Sequence, residues 1–217
     1  MFLGYYSHLM KECLRNSFRK FIFRKKGNTI GKGCKISKDL KTNGKFTVRN
    51  NVSIGKCVVL NNGVLIGSNA KIENIEIGEN SHIEGGVIIT GYGNGKIIIG
   101  KESYIGINNT LDWSNLIEIG NYVHIAGPST GIWTHSSAGM CLHSIPLNEK
   151  AEKYRPTAPV TIDDNVYIGG NCTIYPGITI GHHSIVTPNS VVTKSVKPYT
   201  MVGGVPAKIL RIIKVDK

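Results

Sequence analysis

Aromatic residues are scarce in this chain, 7% of 217 residues, and acidic residues number 14 against 26 basic ones. A core with so few rings must be assembled from aliphatic side chains, which suits a narrow interior. Five cysteines are present, Cys13, Cys34, Cys57, Cys141 and Cys172, and no two form a CxxC pair. That argues against a disulfide framework or a zinc ribbon and for reduced thiols in a cytosolic protein. No apolar run approaches the ~18 residues that a membrane-spanning helix needs. Met1–Met10 lacks the basic start and apolar body of a signal peptide, so the expected location is the cytoplasm. The length allows one sizeable core and makes two domains unnecessary.

The formal charge of +12 asks for acidic partners: cofactor phosphates, nucleic acid or a membrane face. Half of that excess lies in residues 1–26, where Lys11, Arg15, Arg19, Lys20, Arg24, Lys25 and Lys26 face only Glu12, a net of +6. Nucleic acid is disfavoured because aromatic side chains are not interleaved with the basic ones. Residues 1–26 read as an amphipathic helix with Leu3, Tyr6, Met10, Leu14, Phe18 and Phe21 or Ile22 on one side. Two roles remain open for it: a cap on the end of the fold, or a basic helix lying on the inner face of an anionic membrane.

What the chain has in quantity is a period. From Ile162 to Val196 aliphatic residues recur every six positions, at Ile162, Ile168, Ile174, Ile180, Val186 and Val192. Asn or Gly stands three places later in most of these units, at Asn165, Asn171, Gly177 and Asn189. Six is neither the helical period nor a simple alternation, and it predicts a parallel β-helix in which three hexads make one triangular coil. The aliphatic residue faces the interior, and Asn or Gly tolerates the positive φ of a tight corner. The hexads begin at Ile30, run through Val48, Ile54, Leu60, Ile66 and Ile72, and slip by one before Ile77, Ile83 and Ile89. They break at Gly91–Gly95, which reads as a corner loop, and return at Ile99, Ile105, Leu111, Ile119 and Ile125. The largest interruption is residues 131–158, without hexad register and with Trp133, His135 and His143 inside it. Long excursions from a regular scaffold are where function is usually placed. After Val196 the tail is expected to leave the coil, ending in a short basic segment at 213–217.

The hexads, Ile125-Ala126 followed by Trp133-Thr134-His135, Val166-Tyr167-Ile168-Gly169-Gly170-Asn171, Tyr175-Pro176-Gly177-Ile178-Thr179-Ile180-Gly181 and Gly204-Val205-Pro206-Ala207-Lys208 together resemble the hexapeptide-repeat acyltransferases. Among these the chain is most similar to the galactoside, maltose and polysaccharide O-acetyltransferases, over about residues 28–212. The resemblance implies an all-β, left-handed solenoid across 27–212, a homotrimer, and acetyl-CoA as acyl donor in the groove between neighbouring prisms, with no metal. Handedness comes from the resemblance alone, since the general rule for parallel crossovers favours the right hand.

Within that resemblance His135 falls at the position of the catalytic histidine. Imidazole suits a base for acyl transfer because its ordinary pKa near 6.5 leaves it mostly neutral at cytoplasmic pH. His143, in the same excursion, is the second candidate, and Trp133 and His143 are assigned to the acceptor. Tyr167 replaces a tryptophan that often bounds the acetyl-CoA channel. Gly170, Pro188, Thr193 and Lys194 match pantetheine and adenine contacts, Lys208 and Arg211 a basic pair near the nucleotide phosphates, and Ala126 a backbone N–H approaching the thioester carbonyl. The acceptor implied is a sugar: nucleotide-linked, lipid-linked or part of a surface polysaccharide. A non-catalytic scaffold and a gamma-type carbonic anhydrase, which needs three histidines on zinc, are the competing functions.

Overall fold

The computed structural model describes residues 2–149 and 151–214, with backbone alone for 2–10. The side chains of Leu3, Tyr6 and Met10, and residues 215–217 of the expected basic tail, lie outside the described residues. The chain forms a helix, Phe2–Lys25, followed by short parallel strands that stack into three sheets of ten, eight and seven strands. Successive strands visit the three sheets in turn, so each coil of the left-handed β-helix contributes one strand to each face of a triangular prism. The hexad period translates directly into this geometry. Ile168 pairs with Ile125 below it and Val186 above it, and all three are fully buried. Aliphatic columns of this kind run through the chain from Ile30 to Val202. Each buried Ile or Val contributes about 1.5–3 kcal/mol relative to exposure, and the coils share that burial because no single coil can enclose it.

The corners confirm the role expected for Asn and Gly. Asn165, Asn171 and Asn189 have φ of 59°, 55° and 59°, and Gly177 has 79°. Asn171 also donates its side-chain amide to the Asn189 side chain in the next coil, at 2.8 Å. Interior hydroxyls serve the same stacking. Ser103 accepts from the Val123 N–H and donates to the Gly120 carbonyl, at 3.0 and 2.9 Å, which satisfies a backbone donor that the narrow core would otherwise leave unpaired. Burial pushes the Cys172 thiol pKa up, only partly opposed by backbone hydrogen bonds from Ser190 and Asn189.

Three expectations change. Gly131–Ile132 is a strand, paired with Thr110–Asp112 on one side and Thr173–Ile174 on the other, and Ile132 is fully buried. The excursion therefore leaves the coil at Trp133 and not at Gly131, because a glycine in the pattern hid one more rung. The tail does not leave the coil either. Thr200–Gly203 pairs in parallel with Ile185–Val186, and Lys208–Ile212 turns back antiparallel on it, closing that end of the sheet.

The helix covers the other end, but not with the face its apolar pattern suggests. Asn16 donates to the Cys34 carbonyl at 3.0 Å and accepts from the Ile36 N–H at 2.9 Å, and Arg24 donates to the Ile30 carbonyl. Phe23 meets Phe46 edge-on with ring centroids 5.5 Å apart. A terminal coil exposes unpaired backbone groups as well as apolar edges, and polar side chains satisfy the former. Leu14, Phe18 and Phe21 remain exposed to 66%, 64% and 54%.

Candidate active site

His135 follows the strand Gly131–Ile132 by three residues, at the mouth of the excursion. Its Nδ1 lies 2.6 Å from Asp112 Oδ2 and 3.2 Å from Ser114 Oγ. Asp112 ends the strand Thr110–Asp112 in the coil below and is 1% exposed. Its carboxylate is well engaged: Ser114 donates to Oδ1 through its hydroxyl and its N–H, and Thr134 donates to Oδ2 through its N–H, while the Thr134 hydroxyl donates to the Asp112 backbone carbonyl at 2.7 Å. Burial would raise the Asp112 pKa, but these hydrogen bonds and the one from His135 outweigh it and hold the carboxyl below its ordinary value. An ionised carboxylate beside Nδ1 keeps the proton on that nitrogen. The imidazole is thereby fixed in the tautomer whose Nε2 carries the free lone pair. The Tyr92 ring packs edge-to-face on the imidazole, centroids 5.1 Å apart. A backbone bridge to Thr157 ties His135 to the returning limb of the excursion.

Other sequence-derived candidates fall into separate groups. Trp133, 38% exposed, stands at the same corner as His135. The stacking of Ile132, Ile174 and Val192 places Tyr175 and then Thr193 above Trp133, with Lys194 next in the chain. His143 is anchored within the excursion, its Nδ1 2.8 Å from the Gly139 carbonyl and its ring 4.4 Å from that of Tyr154. Ala126, Gly170 and Pro188 occupy the corner between the first two faces. The Ala126 N–H donates to the Ile168 carbonyl at 2.7 Å, so it is committed to the coil ladder and not free for a thioester oxygen, a correction of its expected role. Gly170 has room for no side chain, since a Cβ there would stand 2.7 Å from the Gly127 carbonyl oxygen. Tyr167 points outward on the first face, edge-on to His124, which is itself edge-on to Tyr104. Lys208 and Arg211 are exposed on the strand returning along that face. One prism thus presents His135 at one corner and the tyrosine and basic pair on another face.

Sequence reasoning missed Asp112, Ser114, Tyr92 and Arg155. The Arg155 guanidinium carbon lies 3.6 Å from the Tyr92 ring centroid, and both residues line a cleft of about 560 Å³ that Ser114 also borders. Tyr92 belongs to the Gly91–Gly95 loop, read from sequence only as a corner. Among the described residues, no group of three His, Cys, Asp or Glu side chains is placed to hold a metal ion.

Comparison with known proteins agrees with this architecture. A family model described as bacterial transferase hexapeptide (six repeats) matches residues 159–194, and one described as hexapeptide repeat of succinyl-transferase matches 51–91. The galactoside O-acetyltransferase of Escherichia coli (strain K12) is 36% identical over 137 residues, 63% of each chain. The chain spans less than two thirds of the length of the curated relatives it matches. A hexapeptide-repeat acetyltransferase from Vibrio cholerae, crystallised with acetyl-CoA, is 31% identical, with 71% of this chain and 73% of that one covered and a TM-score of 0.49. The N-acyltransferase AntD from Bacillus cereus, bound to dTDP-4-amino-4,6-dideoxyglucose and CoA, shares the fold at a TM-score of 0.56 and 24% identity over 90% of both chains. Hexads that stack as coils and repeat models matching residues 51–91 and 159–194 show that the chain is built of hexapeptide repeats, similar to those of acyltransferases such as the galactoside O-acetyltransferase.

Proposed function

We propose that the protein is an acetyl-CoA-dependent O-acetyltransferase acting on a sugar hydroxyl, with His135 as general base. The observation that carries this reading is the buried Asp112 carboxylate held against His135 Nδ1 at 2.6 Å. In the proposed reaction Nε2 takes the acceptor's hydroxyl proton as its oxygen attacks the thioester carbonyl. The imidazolium, stabilised by Asp112, then returns the proton to the departing thiolate. Nothing else in the chain has to change charge.

The separation of His135 from Tyr167, Lys208 and Arg211 on one prism supports assembly into a trimer, where one subunit's histidine meets its neighbour's donor-binding face. The basic pair suits the nucleotide phosphates by charge alone. The names of relatives, a galactoside acetyltransferase and an enzyme bound to a nucleotide-linked amino sugar, favour a sugar acceptor. For residues 1–26 the exposed Leu14, Phe18 and Phe21 beside a net charge of +6 favour contact with anionic lipid over a purely capping role. The activity is tested by following acetyl-CoA consumption against a panel of sugars. Turnover by the parent and its loss in His135→Ala are expected, and no turnover with any member rejects the reading.

A further inference from the structure

We propose that the acceptor carries an anionic group, a carboxylate or a phosphate, which Arg155 seats beside His135. This rests on the reading of His135 as the base and adds the chemical class of what it deprotonates. Tyr92 connects the two residues: one of its contacts is the edge-to-face packing on His135, and the other is the Arg155 guanidinium stacked 3.6 Å from its ring centroid. The Tyr92 hydroxyl lies 3.4 Å from the Arg155 carbonyl, which binds the loop Gly91–Gly95 to the returning limb of the excursion. The arginine and the histidine thus share Tyr92 as a neighbour, held there by two segments distant in sequence.

Its donors are not spent. Arg155 Nε is buried without an acceptor among the described residues, and no ion pair involves the guanidinium. Glu152 lines the same cleft, and its contact with Arg155 is through backbone: the Arg155 N–H donates to the Glu152 carbonyl. Lys96 borders the cleft as well, so the local balance of Lys96 and Arg155 against Glu152 is positive. A guanidinium stacked face-on against a ring keeps its N–H fork directed outward in its own plane. That is the arrangement that grips a carboxylate or phosphate through two parallel hydrogen bonds.

The test is calorimetric titration of the full chain, with CoA present, using glucuronate, glucose 1-phosphate and glucose. The parent is expected to bind one of the two anionic sugars about tenfold or more tightly than glucose, and which one identifies the anion. Arg155→Met should abolish that difference while retaining CoA binding and a folded β-helix by circular dichroism. Arg155→Lys, which keeps the charge and loses the fork, should restore part of it. Equal affinity for all three sugars, including none measurable, or a preference that survives Arg155→Met, overturns the proposal. Because the readout is binding, it fails independently of catalysis, which is judged by acetyl-CoA consumption in the parent and His135→Ala.

Discussion

Between Val160 and Val196 every sixth residue is an aliphatic side chain sealed in the prism, whereas between Trp133 and Pro159 only Thr134 and Met140 are buried among the described residues. The first stretch is held by its own repetition, since each rung takes its backbone hydrogen bonds from the rungs on either side. The second has no such partners and is pinned where it touches the coil. Thr134 bonds to Asp112, the Asn115 side-chain amide donates to the Thr157 hydroxyl, and Arg155 lies over Tyr92 of the Gly91–Gly95 loop. The contrast shows how the candidate site is divided: the irregular segment delivers the imidazole, and the regular scaffold supplies the buried carboxylate bonded to it. A loop histidine gains positional accuracy from a carboxylate buried in the coil.

The comparison breaks most violently at the coil. Ile168→Asp would place a carboxylate in a column where Ile125 and Val186 leave no water and no partner. The cost is several kcal/mol, and soluble folded protein should be lost, as judged by circular dichroism and sedimentation. A folded assembly carrying that change would contradict the register.

At the junction, Asp112→Asn keeps the shape and removes the charge, so kcat should fall by about 10²-fold or more with acetyl-CoA binding retained. The same variant gives a test in acid. Asp112 has a folded-state pKa below its unfolded one, so it contributes stability that is present above the ordinary carboxylate value near 3.9 and is lost as pH falls through the lower folded value. The parent should therefore lose more stability on acidification below about pH 4 than Asp112→Asn does, measured by urea unfolding. Parallel losses would mean that the carboxylate is not held ionised by Ser114, His135 and Thr134.

Smaller effects belong to the surfaces. Replacing Lys208 and Arg211 together by Ala should raise KM for acetyl-CoA several-fold, and that difference should shrink with salt as phosphate contacts are screened. An equal rise for the sugar would remove the assignment. Phe18→Glu, on the exposed face of the helix Phe2–Lys25, should shift stability by no more than about 0.5 kcal/mol in urea unfolding, because the residue is 64% exposed. A larger loss would mean that this face is covered.

How much of this was legible in the sequence follows the same division. Coil positions were readable because one residue type repeats at one spacing, and Asn at 165, 171 and 189 marked the corners before their φ values were known. His135 was reached through a family resemblance. Its orienting carboxylate was not, because Asp112 is 23 residues away and meets it only through coil stacking. That offset depends on where loops lengthen a coil, and no periodicity fixes it. Tyr92 and Arg155 were hidden for the same reason, 63 residues apart on two different insertions. The helix misled because its apolar stripe is visible in sequence and the unpaired backbone groups that recruit Asn16 and Arg24 are not.

The central claim, that His135 Nε2 is the base and Asp112 its orienting partner, is tested most directly by steady-state kinetics of His135→Ala. The account predicts a kcat lower by about 10²–10⁴, with acetyl-CoA affinity and assembly unchanged. If His135→Ala stays within a few-fold of the parent while His143→Ala is inactive, the base is His143, and the Asp112–His135 pair is a structural hydrogen bond.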